Sequence, residues 1–394
     1  MNRILIFILF FPVLLPAQQK LKFSYSFDQC ALTELSQQTN PATTSKAPVC
    51  VCGLENDALE LNSQILTLPL QSDTFFYGDF SLGFSIAIQP GIGNFGVLSK
   101  MKSCNADTSF MIVYQSKDSS FVCSLQQGFD KFIQLVGKAD AGQCWQQIVL
   151  TRSAGQFRLF INGSLKDEQS SNFILRLNNN VPISFNGSPC NFAAKMNGLL
   201  DNVYLTNYSL NSSQVLNAQI LQDQILTADS LIFAGSSFNI RAESECASII
   251  QWTPSNGLSS SSILNPLASP LQTTKYFLNV KHGFCTATDS VLIKVIDTSK
   301  IDCSQLRLPT AFSPNNDQIN DVFFISNNYI IETLHYFDII DRNGSLMVRY
   351  QDPKSQWDGS WNGKELTPGT YYYRISYSCK NEDYKVKGSF FLLK

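Results

Sequence analysis

The segment Leu306–Ile325 reads LRLPTAFSPNNDQINDVFFI, and three further stretches follow it to the end of the chain. These are IIDRNGSLMVRY (Ile339–Tyr350), SQWDGSWNGKELTPGTYYYRISYSC (Ser355–Cys379) and KVKGSFFLLK (Lys385–Lys394). Short apolar-alternating runs are separated here by Asn-Gly, Asp-Gly and Pro-Gly pairs, which are typical of turns between strands. The pattern predicts a small all-β unit, with one strand closing the chain.

This segment also carries a specific spacing of residues. It contains Pro-x-x-Phe-x-Pro-Asn-x-Asp-x-x-Asn-Asp (Pro309–Asp321), Trp-Asp-Gly-x-x-Asn-Gly (Trp357–Gly363) and Gly-Thr-Tyr-x-Tyr (Gly369–Tyr373). On these motifs, residues 306–394 closely resemble the gliding-motility-associated C-terminal domain of Bacteroidetes. The resemblance implies a small β-sandwich that acts as a type B sorting domain for the type IX secretion system.

Two features of the segment depart from that family. Asn316 and Gln318 stand where glycines are usual, and Asn343-Gly344 replaces the usual Trp-Gly of the middle strand. The motifs still cover the whole segment. The resemblance therefore implies that the type IX secretion machinery is a partner and that the protein is secreted or displayed on the outer cell surface.

The other end of the chain predicts export as well. Residues 1–17 contain one early positive charge, Arg3, an apolar run from Ile4 to Leu15, and Pro16-Ala17 before a polar stretch. The run is shorter than the ~20 residues that span a bilayer and is typical of a cleaved secretory signal. No second apolar segment of membrane length follows, so we expect no transmembrane segment after signal removal.

Composition narrows the class of protein. Asp, Glu, Lys and Arg make up 15% of the 394 residues, and the formal net charge is −2. Such a balance gives no reason to expect nucleic acid as a partner. Eleven cysteines in an exported chain predict disulfides, and the odd number leaves at least one thiol free or paired between molecules.

The first block, residues 18–223, consists of short strand patterns with frequent turn signals. The clearest strands are Asp79–Pro90, Trp145–Ser153, Gln156–Gly163 and Asn197–Asn207. Many short strands of this kind predict a sandwich or jelly roll. A helical pattern, Ser209–Gln222, closes the block, and Ser212 or Ser213 is its expected N-cap.

The order of motifs in this block resembles the concanavalin A-like, laminin-G-type domain. It has Ala-Leu-Glu-Leu (Ala58–Leu61), Asp-Phe-Ser-x-x-Phe-Ser (Asp79–Ser85), Leu-Phe-Ile-Asn-Gly (Leu159–Gly163) and Asn-Gly-x-x-Asp-x-Val-Tyr-Leu (Asn197–Leu205). The resemblance implies a jelly roll of two antiparallel sheets. Most bacterial members of that family bind a ligand rather than cut it.

The second block, residues 224–297, predicts an immunoglobulin-like sandwich and resembles the PKD-like spacer modules of secreted Bacteroidetes proteins. In such sandwiches a central Trp252 would pack on a bridge between Cys246 and Cys285. Cys303 and Cys379 fall within or beside the last domain and are the natural pair there. Pairing among the seven cysteines of the first block stays open.

One catalytic motif needs weighing. Glu55-Asn-Asp57-Ala-Leu-Glu60 matches the Glu-x-Asp-x-x-Glu strand on which some concanavalin A-like glycoside hydrolases carry nucleophile and acid/base. Asn56, however, stands where the hydrolases have an apolar residue. The two histidines, His282 and His335, lie in modules whose resemblance implies no catalysis. We expect no enzymatic activity, with a glycoside hydrolase built on Glu55 and Glu60 as the alternative.

Calcium is the metal that this sequence favours, since hard oxygen ligands suit it. In laminin-G-type relatives the Asp of Asn-Gly-x-x-Asp often helps hold calcium, which implies such a role for Asp201. The alternative is a turn-end carboxylate that accepts hydrogen bonds from backbone amides. The run Asn315–Asp321 lacks the glycine and bidentate Glu of an EF-hand loop, so we interpret it as structural Asx turns.

These observations predict an exported, all-β, non-enzymatic protein. Its laminin-G-like domain would bind an extracellular glycan or protein as an adhesion module, and the PKD/Ig-like module would act as a spacer. A structural part of the surface or motility apparatus is a further alternative. The decisive observation is whether the concave sheet of the first domain is open and lined by polar and aromatic side chains.

Overall fold

A computed structural model describes residues 22–36, 40–104, 107–220 and 222–393. The predicted signal peptide, residues 1–17, lies outside this range. The chain forms two compact units, one up to Lys294 and one from Val295 onwards. The all-β prediction is confirmed. Within the described residues, no helix has the length and apolar character that crossing a membrane requires.

The first unit begins with a two-sheet domain. Its strands are β1 (Lys22–Tyr25), β2 (Thr43–Thr44), β3 (Cys50–Cys52), β4 (Asp57–Glu60), β5 (Leu66–Thr67), β6 (Phe80–Ile88), β7 (Asn94–Lys100), β8 (Thr108–Gln115), β9 (Ser120–Gln127), β10 (Lys131–Lys138), β11 (Gln146–Ser153), β12 (Gln156–Ile161), β13 (Ser164–Ser170), β14 (Ser184–Phe185) and β15 (Gly198–Thr206). Short 3-10 helices cover Asp28–Cys30 and Leu70–Tyr77, and α1 covers Ser212–Asn217.

These strands pair antiparallel in two sheets. Sheet A has the order β13-β12-β11-β6-β15-β4-β3, with β1 paired to β15, and sheet B has the order β10-β9-β8-β7-β14-β5-β2. A single apolar core lies between the sheets, and Phe84 of sheet A meets Phe185 of sheet B edge to face, with ring centroids 5.1 Å apart. This arrangement is the predicted jelly roll.

Strand β8 shows why the sequence folds this way. Phe110 and Ile112 are fully buried in the core, while Ser109, Met111 and Val113 alternate with them. Successive side chains of a strand point to opposite faces of its sheet. The alternation therefore buries one set of residues between the sheets and places the other set on the outer face of sheet B.

Helix α1 is shorter than the predicted pattern Ser209–Gln222, and its N-cap lies one residue before the first predicted cap, Ser212. Asn211, not Ser212 or Ser213, is the N-cap: its side chain accepts a hydrogen bond from Gln214 N at 2.9 Å. Gln214 Oε1 in turn accepts from Asn211 N at 3.0 Å. This reciprocal capping box satisfies two backbone donors, whereas a cap without the glutamine contact would satisfy only one.

The first unit continues into a smaller β module. Its strands are β16 (Gln224–Ile225), β17 (Ser230–Phe233), β18 (Phe238–Asn239), β19 (Ala242–Glu243), β20 (Ile249–Thr253), β21 (Leu267–Ala268), β22 (Thr274–His282) and β23 (Cys285–Ile296). Its main sheet has the order β17-β23-β22-β20. Trp252 of β20 is fully buried, and its indole Nε1 donates to Ile263 O at 2.9 Å.

The predicted bridge between Cys246 and Cys285 is wrong. Cys246 is bonded to Cys52 and Cys285 to Cys144, with Cα–Cα distances of 5.7 Å in both pairs. Cys246 precedes β20 and Cys285 begins β23, and β22 lies between these strands in one sheet. Strands two apart in a sheet are separated by about 10 Å, beyond the ~7 Å Cα–Cα limit for a disulfide.

Two covalent bonds therefore join the small module to the jelly roll, at sequence separations of 194 and 141 residues. Each typically stabilises a fold by about 2–4 kcal/mol. The other bonds are Cys30–Cys50, Cys104–Cys190 and the expected Cys303–Cys379. The eleventh cysteine, Cys123, is a free thiol buried in the jelly-roll core.

The second unit holds β24 (Ala311–Phe312), β25 (Phe323–Phe324), β26 (Thr333–Ile340), β27 (Leu346–Tyr350), β28 (Gln356–Trp357), β29 (Ser360–Trp361), β30 (Lys364–Glu365), β31 (Gly369–Cys379) and β32 (Glu382–Leu392). Its 3-10 turns cover Thr298–Lys300 and Asn328–Ile330. The main sheet has the order β24-β32-β31-β26-β27. Phe323 stacks on Phe390 at 3.6 Å between centroids, and Phe312 lies 5.6 Å from Trp357.

The loop Asn315–Asp321 is held by its own carboxylates. Asp321 accepts hydrogen bonds from the backbone N–H groups of Asn315, Asn316 and Gln318 at 2.8–3.0 Å. Asn316, Gln318 and Asn320 all have positive φ, at 62°, 69° and 56°. The loop needs a left-handed backbone at these positions, and the glycines that the family usually has at 316 and 318 adopt it freely. In this chain Asn316 and Gln318 adopt it at a steric cost.

We predict that Gln318→Gly stabilises the second unit by about 0.5–1 kcal/mol. The steric cost of a left-handed glutamine, which the substitution removes, is larger than the entropic cost that glycine adds. Calorimetric unfolding of the exported chain measures this. Gln318→Ala is the matched control, since alanine keeps the unfavourable φ. An equal shift in both variants would contradict the strain argument.

We also predict the cysteine connectivity of the first unit. Non-reducing digestion of the exported protein, followed by mass spectrometry, should recover peptides that link Cys52 with Cys246 and Cys144 with Cys285. Recovery of a Cys246–Cys285 peptide instead would overturn the assignment. Replacing both members of either pair by serine should lower the free energy of unfolding by about 2–4 kcal/mol.

Candidate functional site

The outer face of sheet B, formed by β8, β9 and β10, is open. We call it the front face. The strand register arranges its side chains in three rows across the sheet, each with one residue from each strand. The rows are Ser109–Gln126–Phe132, Met111–Ser124–Gln134 and Val113–Val122–Val136. Directly opposed side chains stand about 5 Å apart. Met111 and Val113 are buried, so the accessible contact points of the rows come mainly from Ser109 and from β9 and β10.

One side of the front face is built up by the segment that follows β14. The disulfide Cys104–Cys190 fixes this segment, and Met101, Met111 and Cys190 pack together beneath it. Phe192 lies within it and keeps 57% of its surface exposed. Phe132, on strand β10, is 50% exposed. Two exposed phenylalanines thus lie on the front face, together with the polar side chains of the rows.

A depression of about 350 Å³ lies on the front face, between this segment and the rows. Its polar lining includes the amides of Asn94, Gln115, Gln126 and Gln134 and the hydroxyls of Ser109 and Ser124. Among the described residues that line it, none is charged. An amide offers both a donor and an acceptor. The site can therefore form several neutral hydrogen bonds beside apolar contact surfaces.

The contacts already made on this face are few and local. Gln126 Nε2 donates to Gly128 O at 2.9 Å, and Gln134 Nε2 lies 3.4 Å from Ser124 Oγ. The side chains are supported from below by β-strands rather than by loops. A site on regular strands is held more rigidly than one on loops, which lowers the entropic cost of binding.

The carboxylates of the hydrolase-like motif lie elsewhere. Glu55 is an exposed residue of the turn between β3 and β4, and Glu60 is the last residue of β4. Asn56, between Glu55 and Asp57, has a φ of 52°, so the motif does not continue as one strand. Both carboxylates belong to the sheet A side, and neither lines the front-face depression.

Asp201 is fully buried in β15 and accepts hydrogen bonds from backbone amides. Its Oδ2 accepts from Leu54 N at 3.0 Å and from Glu55 N at 3.4 Å, and its Oδ1 accepts from Asn202 N at 2.7 Å. Burial raises the pKa of this carboxyl from 3.8 to about 7, against the lowering effect of these bonds. Gly53 has no room for a side chain, because an added Cβ would lie 2.8 Å from Asp201 Oδ2.

These surroundings do not fit a calcium ion. Calcium takes six to eight oxygen ligands, whereas Asp201 faces N–H donors, which present positive charge toward it. Across the described residues, no group of three or more His, Cys, Asp or Glu side chains is arranged to hold a metal ion. The hydrogen bonds match the alternative role, a carboxylate that anchors the turn before β4.

The two histidines form no catalytic triad. His282 Nε2 lies 2.8 Å from Asp223 Oδ1, and Ser244 Oγ donates to the same oxygen at 2.7 Å. His335 Nε2 lies near both Ser378 Oγ, at 2.9 Å, and Asp383, at 3.1 Å. A triad places the serine and the carboxylate on opposite ring nitrogens, which neither cluster does.

Sequence reasoning missed the front face, although part of its signal was visible. The run Lys131–Lys138 has alternate buried and exposed residues, so its period of two marks Phe132 and Gln134 as outward-facing. The sequence does not show which strands are neighbours. Only the pairing of β8, β9 and β10 brings the amides and hydroxyls into common rows.

Comparison with protein families agrees with the two resemblances. Residues 306–392 match the type IX secretion signal domain, and residues 67–216 match the concanavalin A-like lectin/glucanases superfamily. The chain thus carries a C-terminal signal domain for type IX secretion, which implies export to the cell surface or the medium, and a concanavalin A-like domain. No curated protein matches the sequence.

Several solved structures are similar to parts of this chain. Domain 4 of AbnA, an extracellular arabinanase from Geobacillus stearothermophilus, is 19% identical with a TM-score of 0.41, over 50% of this chain and 96% of that one. The receptor binding domain of botulinum neurotoxin C/D mosaic serotype is 16% identical with a TM-score of 0.43, over 68% and 72%. A Trypanosoma rangeli sialidase is 15% identical with a TM-score of 0.38, over 50% and 32%.

We predict that the stability of the first unit depends on pH through Asp201. Its carboxyl keeps a proton up to about pH 7 when folded but loses it near pH 3.8 when unfolded. The folded state therefore binds the extra proton between these values, and stability should fall by about 1 kcal/mol per pH unit as the pH rises through that window. Above about pH 7 this contribution is flat.

Urea unfolding of wild type and Asp201→Asn across pH 4 to 8 measures the effect. The variant should show a flatter profile between pH 4 and 7, while Asp130→Asn, at an exposed loop position, should follow the wild type. Parallel profiles for wild type and Asp201→Asn would refute the assignment. A calcium-dependent gain in stability seen only with Asp201 present would favour the metal interpretation instead.

Proposed function

We propose that this chain is an exported, non-enzymatic binding protein that recognises a neutral glycan on the front face of its concanavalin A-like domain. The observation that carries the proposal is the front-face depression itself. It combines six amide or hydroxyl side chains with two exposed phenylalanines and contains no charged lining residue among those described.

The chemistry of the face suits a sugar chain. Sugar hydroxyls act as donors and acceptors, and side-chain amides supply the complementary pair in one group. Phe132 and Phe192 offer apolar surfaces on which the C–H face of a sugar ring can pack. A depression of about 350 Å³ lies within the range of small-ligand sites.

The proposal of binding without cleavage rests on where the carboxylates lie. Acid/base cleavage of a glycosidic bond requires two carboxyl groups that flank the bond, about 5–10 Å apart. No Asp or Glu is among the described residues that line the depression. Glu55 and Glu60 belong to a turn and a strand end on the sheet A side. A bound sugar would therefore meet hydrogen-bonding and apolar groups, but no carboxylate among the described lining residues.

The small module would hold the binding domain rigidly on the exported molecule. Its two disulfides to the jelly roll, Cys52–Cys246 and Cys144–Cys285, oppose bending between the two parts of the first unit. The small module would then act as a rigid spacer, as the sequence predicted a spacer role for it.

A protein ligand is the second candidate. Val122 and Val136 are paired across β9 and β10 and give the front face a small apolar area, and Val136 is 43% exposed. Exposed apolar area of this kind also occurs at protein-binding surfaces. In that case the amides would pair with backbone groups of the partner.

We predict that the exported protein binds neutral polysaccharides on a glycan array and that Phe132→Ala weakens this binding about tenfold, through loss of one stacking contact. Gln134→Ala should weaken binding by a smaller factor. Phe233→Ala is the matched control, because Phe233 is a partly exposed phenylalanine of the small module. Isothermal titration with the best array ligand gives the affinities.

Two outcomes would count against the glycan. An array without any neutral ligand, together with a protein partner whose binding needs Val136, would favour the second candidate. Release of reducing sugar that disappears in Glu55→Gln would instead establish the hydrolase alternative.

A further inference from the structure

A second cavity, of about 320 Å³, lies on the outer face of sheet A, the opposite side of the jelly roll from the front face. We call it the back pocket. Strand β15 forms its floor with β1 beside it, and residues in and after α1 form its other wall. The register pairs Ser24 with Tyr204 and Lys22 with Thr206, which brings these four side chains to one face.

Three polar atoms in residues that line this pocket are buried and have no hydrogen-bond partner. They are Gln147 Oε1, Asn202 Nδ2 and Tyr204 Oη. Buried polar groups are nearly always paired in native proteins, and each exception requires an explanation such as a water or a ligand. Three exceptions at one cavity make a group of unmet donors and acceptors.

Gln147 is the firmest of the three. The residue is 6% exposed, and its Nε2 donates to Ala218 O at 2.7 Å. This bond fixes which end of the amide carries the nitrogen. The oxygen is therefore oriented as an acceptor and needs a donor from whatever fills the pocket.

Tyr204 lies flat over the neighbouring strand. A Cβ added at Gly83 would come within 2.1 Å of its ring, so the glycine makes the space that the phenol occupies. The ring also packs with Leu210 against Val215 of α1. Burial raises the pKa of the Tyr204 hydroxyl, which keeps it protonated as a donor at neutral pH.

Asn202 owes its position to an irregularity in β15. The register with β6 shifts between Asp201 and Tyr204, and Asn202 has a φ of 49°. Bulges of this kind redirect side chains and are frequent beside binding sites. The bulge brings Asn202 and Tyr204, two residues apart, to one pocket with their donors unpaired.

The charge of the pocket narrows the ligand class. Lys22 is the only charged residue among the described residues that line it, and its Nζ lies 5.6 Å from the centre of the Tyr204 ring. One cation and two unpaired donors favour a ligand with a carboxylate. The unpaired Gln147 oxygen favours a hydroxyl on the same molecule.

We infer that the back pocket is a second binding site, for a small hydroxylated carboxylate of the size and chemistry of a uronic acid. It is independent of the front face, which has no charged residue among its described lining residues. The rival explanation is that ordered water alone fills the pocket and satisfies the three atoms.

The experiment titrates the full exported protein with galacturonate and, separately, with galactose, followed by ligand-observed NMR. Galacturonate should bind more tightly than galactose. Tyr204→Phe should weaken galacturonate binding at least about fivefold through loss of one hydrogen bond to a charged group. Lys22→Gln should remove most of the preference for the acid. Lys46→Gln is the matched control, because Lys46 is exposed and lines neither site, and it should leave the preference unchanged.

Unfolding temperatures separate a binding role from a structural one. Tyr204→Phe removes an unpartnered hydroxyl, so the free protein should be as stable as wild type or more stable. Tyr276→Phe is the matched control, since Tyr276 Oη donates to Asn256 O at 2.7 Å and its loss should lower the unfolding temperature.

Three results would overturn the inference. One is the absence of galacturonate binding, which would leave a pocket that holds water only. The second is equal binding of galacturonate and galactose, and the third is a loss of stability in Tyr204→Phe as large as that in Tyr276→Phe. Because Phe132 and Tyr204 lie on opposite sheets, failure here leaves the front-face proposal standing.

Discussion

Burial of one face of β8, β9, β10 and β15 in the jelly-roll core is the constraint on which both candidate sites depend. In β8, Phe110 and Ile112 are buried in the core. Because successive side chains alternate, Ser109 and Met111 must then point to the outer face of the sheet. A slip of one residue would exchange the two sets and expose the core. The apolar residues thus fix the register, and the register places polar side chains from three strands in common rows.

The disulfides add covalent constraints to the fold that apolar burial produces. The type IX secretion signal domain sends the protein to an oxidising exterior, where such bonds persist. Cys104–Cys190 then fixes the segment beside the front face, while two further bonds join the small module to the jelly roll. The same covalent framework that opposes unfolding therefore also shapes the proposed binding surface.

The two outer faces of the jelly roll differ in their chemistry. The front face offers amides, hydroxyls and exposed Phe132 and Phe192, with its charged groups kept away from the depression. The back pocket is smaller and has Lys22 at its edge, with donors held by a bulge in β15. In the proposal for the back pocket, a single lysine beside unpaired polar atoms gives the site its preference for an acid.

Sequence alone determined the features that depend on neighbouring residues: strands such as Trp145–Ser153 and Asn197–Asn207, the turns, the sorting motifs and the all-β class. It failed for features that depend on distant ones. Cys246 and Cys285 were predicted to pair because both lie in one immunoglobulin-like module, on either side of Trp252. However, β22 separates β20 from β23, and each cysteine is bonded to a cysteine of the jelly roll instead. The rows of the front face likewise exist only once β8, β9 and β10 have paired. The physical reason is the distance along the chain over which each effect acts. Backbone preference and alternation depend on a few neighbouring residues, whereas strand order depends on which apolar faces pack together across the whole domain.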